Sequence, residues 1–508
     1  MTSGETQNVA ADAKSLGRGM LVNLAGAVPK LLYPALLVLV VRHYGKEIFG
    51  IYSLVESTLF FAMYVALFGL DKGVLWWIPR QPPGEDRRGL KSVLFVVGAA
   101  SLVGTGLLAA LAPYIAPTSA EGVSYSHHLR IMCLALFPMA WMQLFVHTAL
   151  AKRKVATQVI LREGIASLLL VGAALVFWRL GMRRSGMAYA FLVANIAGLL
   201  MTALAFRSYY RGSRWLTEPL APPRALVSFA FPMWLTGLVA SLMLRLDLYL
   251  LAVLTDAATL GVYAAILQLG KAVRTAHVSF GQLVIALSSE ISAEGDLRHN
   301  QDRLRAGFSH ATTLMLAVLA PIVAFIALFA GWILSLFGEG FSAGAIPATI
   351  LCVCWGVEGV LGLHGQVLIG LGKSRTTLLN IIATLIIESI LLVLLIPWLG
   401  LSGAALSVGL ASLAQNGFQM VEVRAAVGGW LYDAKVRRVA GHLAVASGLA
   451  CLAYGIGYRH HDLGARAVAL GLFLPIHLRG VLPLLRARKH QRVITLGPLS
   501  EGREAPSR

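Results

Sequence analysis

Lys271, Arg274 and His277 recur at intervals of three along a stretch that is otherwise apolar. Side chains three apart neighbour one another on a helix, so together they form a ladder of positive charge. Such a ladder can hold an anionic group, Arg through forked hydrogen bonds and Lys as a point charge. The competing expectation is that Arg274 and His277 lie near a membrane interface and snorkel to lipid phosphates.

Other ionisable residues interrupt long apolar runs in the same way. An ionisable side chain inside a membrane is costly, so it usually faces a wet cavity or a partner. Lys30 stands between Pro29 and Pro34, which are expected to bend its helix. Arg245 and Asp247 are two apart and face different sides of their helix. Arg245 is therefore assigned to an anionic substrate, and Asp247 to a partner or an ion. Glu56 is a possible counter-charge for Lys30 or a cavity residue. Glu358 and Glu388 lie mid-run, where a carboxyl can take a proton or a cation and so couple movement to an ion gradient, or simply bond a neighbouring helix. Arg162 and Glu163 open a run and read as an interfacial anchor. Arg130 and Arg479 stand near helix ends and read as snorkelling. Cys133, Cys352, Cys354 and Cys451 all fall within apolar runs and read as packing residues, with neither disulfide nor metal site supported. No cofactor is expected beyond a coupling proton or sodium ion. Gly372-Lys373 lacks the rest of a phosphate-binding loop.

The elements that position these residues follow from composition. Of the 508 residues, 57% are apolar and 13% charged, and the mean hydropathy is +0.73. About 20 apolar residues span a bilayer as a helix. Runs of that kind occur at 20–41, 50–70, 92–116, 129–150, 159–178, 186–206, 225–252, 257–285, 308–334, 346–371, 376–397, 401–423, 436–457 and 464–485. The fold class is thus an all-α integral membrane protein of about 14 transmembrane helices. The runs are continuous rather than alternating, which excludes a barrel.

Charge tests this map, because Lys and Arg of short loops favour the cytoplasmic side. With the N-terminus inside, the outer loops hold only Arg42, Lys46, Arg179, Arg183, Arg184, Arg459 and Arg466 of the 43 basic residues. The inner segments carry about four times as many, which places both termini in the cytoplasm. The net charge of +19 then reflects inner loops facing anionic lipid and calls for no nucleic acid.

An internal repeat divides the chain. Phe49-Gly50-Ile51-Tyr52 is matched 211 residues later by Leu260-Gly261-Val262-Tyr263. Leu150-Ala151-Lys152-Arg153 is echoed by Leu371-Gly372-Lys373-Ser374, and Leu180-Gly181 with Ser185-Gly186 by Leu399-Gly400 with Ser402-Gly403. Landmarks in the same order make two six-helix lobes in parallel orientation, plus two C-terminal helices. The expected organisation is a cytoplasmic segment 1–19, an N-lobe 20–206, a linker 207–224, a C-lobe 225–425, a pair of helices within 426–487, and a cytoplasmic tail 488–508.

With Gly17, Asn23, Tyr44-Gly45, Gly69-Leu70, Asp247, Ile369-x-x-Gly372-Lys373 and Pro397-x-x-Gly400, these motifs make the chain resemble the polysaccharide-export flippases of the multidrug/oligosaccharidyl-lipid/polysaccharide exporter superfamily. The resemblance implies two lobes that rock between inward-open and outward-open states. It implies movement of an undecaprenyl-pyrophosphate-linked oligosaccharide through a cationic cavity lined by the first, second, seventh and eighth spans. Lys30, Arg245, Lys271 and Arg274 would contact that substrate, and Glu56, Asp247, Glu358 and Glu388 would serve the cavity or ion coupling. Membrane lipids and a polysaccharide polymerase or export machinery are the implied partners, and a bacterial inner membrane the implied location. A drug/cation antiporter and a lipid II flippase of the same superfamily are the alternatives. A membrane polymerase or ligase is more distant, since no loop is long enough for a catalytic domain, and an enzyme is not expected.

Overall fold

The computed structural model describes residues 33–82, 89–114, 119–120, 123–152, 154, 157–210, 223–293, 301–361, 363–432, 436, 441 and 463–486. The chain divides into two units, residues 26–433 and residues 1–25 with 434–508. In the first, α1 (33–44) is followed by α2 (Lys46–Leu67), α3 (Leu70–Trp77) and α4 (Leu90–Leu111). A two-residue ribbon pairs Ser119 with Ser124 and Ala120 with Val123. Next come α5 (Tyr125–Met132), α6 (Leu136–Ala151), a π-helix (Thr157–Ile165), α7 (Ala166–Arg179) and α8 (Gly186–Tyr209). The second half comprises α9 (Arg224–Met243), α10 (Leu246–Leu254), α11 (Ala257–Ala293), α12 (Gln301–Ser335), α13 (Ala345–Leu361), α14 (Leu363–Gly370), α15 (Ser374–Leu399) and α16 (Leu401–Val427). The other unit contributes α17 (Leu463–Arg486).

The molecule is an all-helical membrane protein. Among the described residues, nine helices are long and apolar enough to cross a bilayer. Their outward faces carry side chains such as Phe95, Leu102, Val103 and Leu107 on α4, all exposed, as contact with lipid tails allows. The long α11 and α16 fall outside those nine. Gln268, Lys271, Arg274 and His277 lower the hydropathy of α11, and Ser407, Ser412, Asn416 and Gln419 that of α16. These four α16 side chains are all buried, so the least apolar spans are those with polar work inside the protein. The span expected at 436–457 lies outside the described residues except at positions 436 and 441, as does most of the one at 20–41.

Three spans differ from their expected form. The run 225–252 is not one helix: α9 ends at Met243, Arg245 takes φ −137° and ψ 0°, and α10 begins at Leu246. No glycine or proline marks that break, so nothing local announced it. The run 50–70 ends where Phe68 and Gly69 both adopt left-handed backbone, φ 46° and 67°, and α3 then sets off anew. The run 159–178 begins with a π-helix.

The two halves meet along α2. At one end the repeat motifs face each other: a Cβ on Gly50 would run into the Ala257 carbonyl oxygen and lie 2.7 Å from the Gly261 nitrogen, and one on Gly261 would run into the Lys46 carbonyl oxygen. Close backbone approach between membrane helices requires such small residues. At the other end a Cβ on Gly69 would meet the Ala230 carbonyl oxygen and lie 2.8 Å from the Trp234 nitrogen of α9. Trp234 Nε1 donates to the Tyr64 carbonyl at 3.1 Å, and its ring lies 5.4 Å from Phe68.

Candidate functional site

Between these two contacts lies a cavity of 260 Å³. The first half lines it with Tyr33 of α1, Tyr52, Glu56, Phe60 and Met63 of α2, Met139 and Met142 of α6, Arg162 of the π-helix, and Phe191 and Asn195 of α8. The second half supplies two residues, both cationic: Arg245 and Lys271. Arg245 reaches the cavity because the α9–α10 break turns its side chain inward, while Asp247 two positions on points elsewhere. Aromatic rings support the cations. The Arg245 guanidinium stands 6.0 Å from the centre of Phe60, and the Lys271 ammonium 5.8 Å from that of Tyr33. An aromatic face attracts a cation through the ring quadrupole, and Glu56 lies within electrostatic range of Lys271 on the same cavity wall.

The expected ladder on α11 therefore separates. Three residues turn an α-helix through about 300°, so each rung falls roughly 60° short of the one before. Lys271 lines the cavity, whereas Arg274 is exposed and stacks over Trp355 of α13 at 5.1 Å. His277 turns towards the Gly359 carbonyl at 3.4 Å. Arg162 is the converse case. Read from sequence as an interfacial anchor, it lines the cavity instead, because the π-helix beneath α7 changes its angular position. π-turns of this kind are frequent at functional sites. Lys30 lies outside the described residues.

The acidic candidates form a second group in the C-terminal half. Asp247 is 3% exposed and accepts the Tyr263 hydroxyl at 2.8 Å and the Leu248 amide at 2.7 Å. Glu388 of α15 is equally buried and lies within electrostatic range of Asp247, Arg274 and Glu358. Among the described residues, no group of three or more His, Cys, Asp or Glu side chains has the arrangement of a metal site. Glu56 thus lines the cavity with its cations, while Asp247, Arg274, Glu358 and Glu388 make a second polar group, which Asp247 links electrostatically to Arg245. A further pair, missed in sequence, is buried Asp71 of α3 with half-buried His147 of α6 at 3.8 Å. The eight-residue helix that carries Asp71 has no signal of its own in the apolar pattern.

The two halves of a helical membrane bundle thus line one charged, partly aromatic cavity. Residues 16–291, more than half of the chain, match the family described as polysaccharide biosynthesis protein. The chain belongs to that family. Its fold is similar to the lipid II flippase MurJ in an inward closed conformation, with a TM-score of 0.72 and 11% identity over 93% of this chain and 100% of that one. It is also similar to an inward-facing multidrug resistance MATE transporter of the MOP superfamily, with a TM-score of 0.62 and 15% identity over 80% of this chain and 98% of that one. A MOP superfamily transporter from Pyrococcus furiosus follows, with a TM-score of 0.52 and 16% identity over 80% and 95%. At these identities the likeness is one of fold. A search of curated proteins by sequence finds no match.

Proposed function

We propose that the protein is a flippase that carries an undecaprenyl-pyrophosphate-linked oligosaccharide across a bacterial inner membrane, for cell-surface polysaccharide synthesis. The observation that carries this reading is the convergence of Arg162, Arg245 and Lys271 on one cavity where, among the described residues, Glu56 is the one lining carboxylate. Three cations from both halves suit a diphosphate, and rings such as Tyr33, Tyr52 and Phe191 suit a sugar face. At about 30 Å³ per water the cavity has room for roughly nine waters. It would hold the charged head of the substrate, while the prenyl chain stays in lipid. In alternating access the contacts at the two ends of α2 would open and close in turn on either side of the cavity. The basic bias of the loops supports cytoplasmic termini and loading from the inside. The substrate and membrane lipids are the direct partners, with a polymerase or export complex downstream.

Asp247 and Glu388, with Glu358 nearby, are the proposed coupling centre for a proton or sodium ion. Glu388→Gln is expected to leave diphosphate binding intact and to abolish the dependence of transport on an imposed ion gradient in proteoliposomes. Retained gradient dependence would remove Glu388 from this role. The likeness to the lipid II flippase supports a second reading within the same chemistry. Flipping assays with lipid II and with an undecaprenyl-pyrophosphate-linked oligosaccharide separate the two. Selective movement of lipid II would replace the substrate proposed here.

A further inference from the structure

Basic residues are scarce on the loop face that carries residues 42–46, 124–128, 179–185 and 338–341, yet most of those it has stand together. Arg42, Arg179, Arg183 and Arg184 are all exposed. The elements bearing them are locked to one another. The His43 ring meets Trp178 edge-on at 4.3 Å, and the Tyr44 hydroxyl donates to the Ala174 carbonyl at 2.7 Å. His127 Nε2 lies 3.1 Å from the Ser185 hydroxyl, and His128 Nε2 bonds the Arg184 carbonyl at 3.0 Å.

The turn that presents three of the arginines is fixed rather than loose. Gly181 takes φ 83°, its amide donates to the Trp178 carbonyl at 3.0 Å, and the Met182 amide donates to the Phe177 carbonyl at 3.0 Å. This is a glycine-closed helix end that holds the following residues in one place. None of the four guanidinium groups has an acidic partner among the described residues. Four exposed arginines on the face that basic residues otherwise avoid run against the topological bias; an acid adjoining this corner is Glu339, next to Gly338, whose Cβ position lies 3.9 Å from the Arg42 Cα.

A closely packed apolar seam, with no room for a water molecule, joins the cavity wall to this corner. It is lined by Leu37, Val40, Tyr52, Leu170, Ala174, Met187 and Ala190, and it shares Tyr52 and Leu170 with the cavity wall. Its far end, at Ala174 and Met187, is about one helical turn from Trp178 and adjoins Gly186.

We infer that Arg42, Arg179, Arg183 and Arg184 form a second anion station, on the outer face of the first half, which receives the diphosphate of the carrier lipid as it leaves the cavity. The inference rests on the flippase reading above. Arginine forks match phosphate oxygens in pairs, and a cluster at headgroup depth would lower the barrier to withdrawing the diphosphate from the cavity cations.

The test uses the full chain in nanodiscs of zwitterionic lipid, with farnesyl diphosphate as probe and native mass spectrometry as readout. The wild type is expected to bind the probe at two classes of site. Arg179→Gln/Arg183→Gln/Arg184→Gln should weaken one class by at least about tenfold, the factor that 1.4 kcal/mol represents. Arg245→Gln/Lys271→Gln should weaken only the other, and replacing the three arginines by Lys should restore much of the first. Two classes left unchanged by the triple Gln variant, or no binding in the wild type, overturn the inference. So does phosphatidylglycerol displacing the probe from the corner as readily as unlabelled farnesyl diphosphate does, since the arginines would then be ordinary headgroup anchors. If the triple Gln variant loses its class but Arg245→Gln/Lys271→Gln loses nothing, the corner stands and the cavity reading fails.

Discussion

The three cations of the cavity are held in three different ways, and this decides what each substitution does. Arg245 stands at a helix break, Lys271 on a continuous helix and Arg162 on a π-helix. Arg162→Gln is expected to slow transport of a lipid-linked diphosphate by about tenfold or more, as Arg245→Gln does, since a charge-assisted hydrogen bond is worth about 1.5–3 kcal/mol. Initial flipping rates at matched protein levels measure this, and a wild-type rate for Arg162→Gln would return that residue to the role of interfacial anchor. Arg274→Gln, which removes a cation stacked on Trp355 outside the cavity, should leave diphosphate binding unchanged. Lys271 and Arg245 were legible in sequence because a charge inside an apolar run is conspicuous. Arg162 was not, because its run begins beside it and the π-turn that reorients it has no signature in residue types. The drift of Arg274 away from Lys271 was implicit in the spacing by three, since only residues spaced by three and four alternately stay on one line.

At the level of elements, turns and helix ends set the geometry. Gly69 must be glycine on two counts: its left-handed backbone costs an L-residue roughly 1–2 kcal/mol, and a Cβ would meet α9. Gly69→Ala should therefore lower the thermal midpoint in detergent and loosen the contact between α3 and α9. An unchanged midpoint would show that this approach carries no stability. Asp256 caps α11, accepting the Thr259 amide at 2.6 Å. That contact, together with the Thr259 hydroxyl, holds its carboxyl below the usual carboxylate range. Because the folded value is depressed, the charged cap contributes fully above the ordinary carboxylate range and is lost as pH falls through the folded value. Its exposure keeps the electrostatic part small. Asp256→Ala should cost about 1 kcal/mol and Asp256→Asn much less. Thermal midpoints at neutral pH check both, and the Asp–Asn difference should vanish in acid. Helix positions followed from hydrophobic length, but the break at Arg245 did not: it is bridged by local bonds, from the Arg245 amide to the Leu242 carbonyl at 3.0 Å and from the Tyr249 amide to the Arg245 carbonyl at 3.1 Å, with no glycine or proline to announce it.

At the scale of the whole molecule, the repeat read in sequence has a physical meaning. Phe49-Gly50-Ile51-Tyr52 and Leu260-Gly261-Val262-Tyr263 are the surfaces through which the two halves touch, with Gly50 and Gly261 back to back. Tyr52 then lines the cavity, while Tyr263 holds Asp247. One motif serves the cation-rich centre and its counterpart the acidic one. The sequence divides the candidates by charge, with Lys30, Arg245, Lys271 and Arg274 set against Glu56, Asp247, Glu358 and Glu388, whereas the structure puts Glu56 on the cavity wall and Arg274 within range of the buried acids. Their division depends on which way each helix face turns. The family, the helical membrane fold and the charged cavity belong to one account, in which both halves close on a diphosphate.

The most direct test of that account is the rate at which purified protein in proteoliposomes moves an undecaprenyl-pyrophosphate-linked oligosaccharide between leaflets, for the wild type and for Arg245→Gln and Lys271→Gln. The account predicts movement by the wild type and a loss of about tenfold or more in each variant while the thermal midpoint holds. Export of organic cations by the wild type with no movement of the diphosphate lipid, or variants that flip at the wild-type rate, would contradict it.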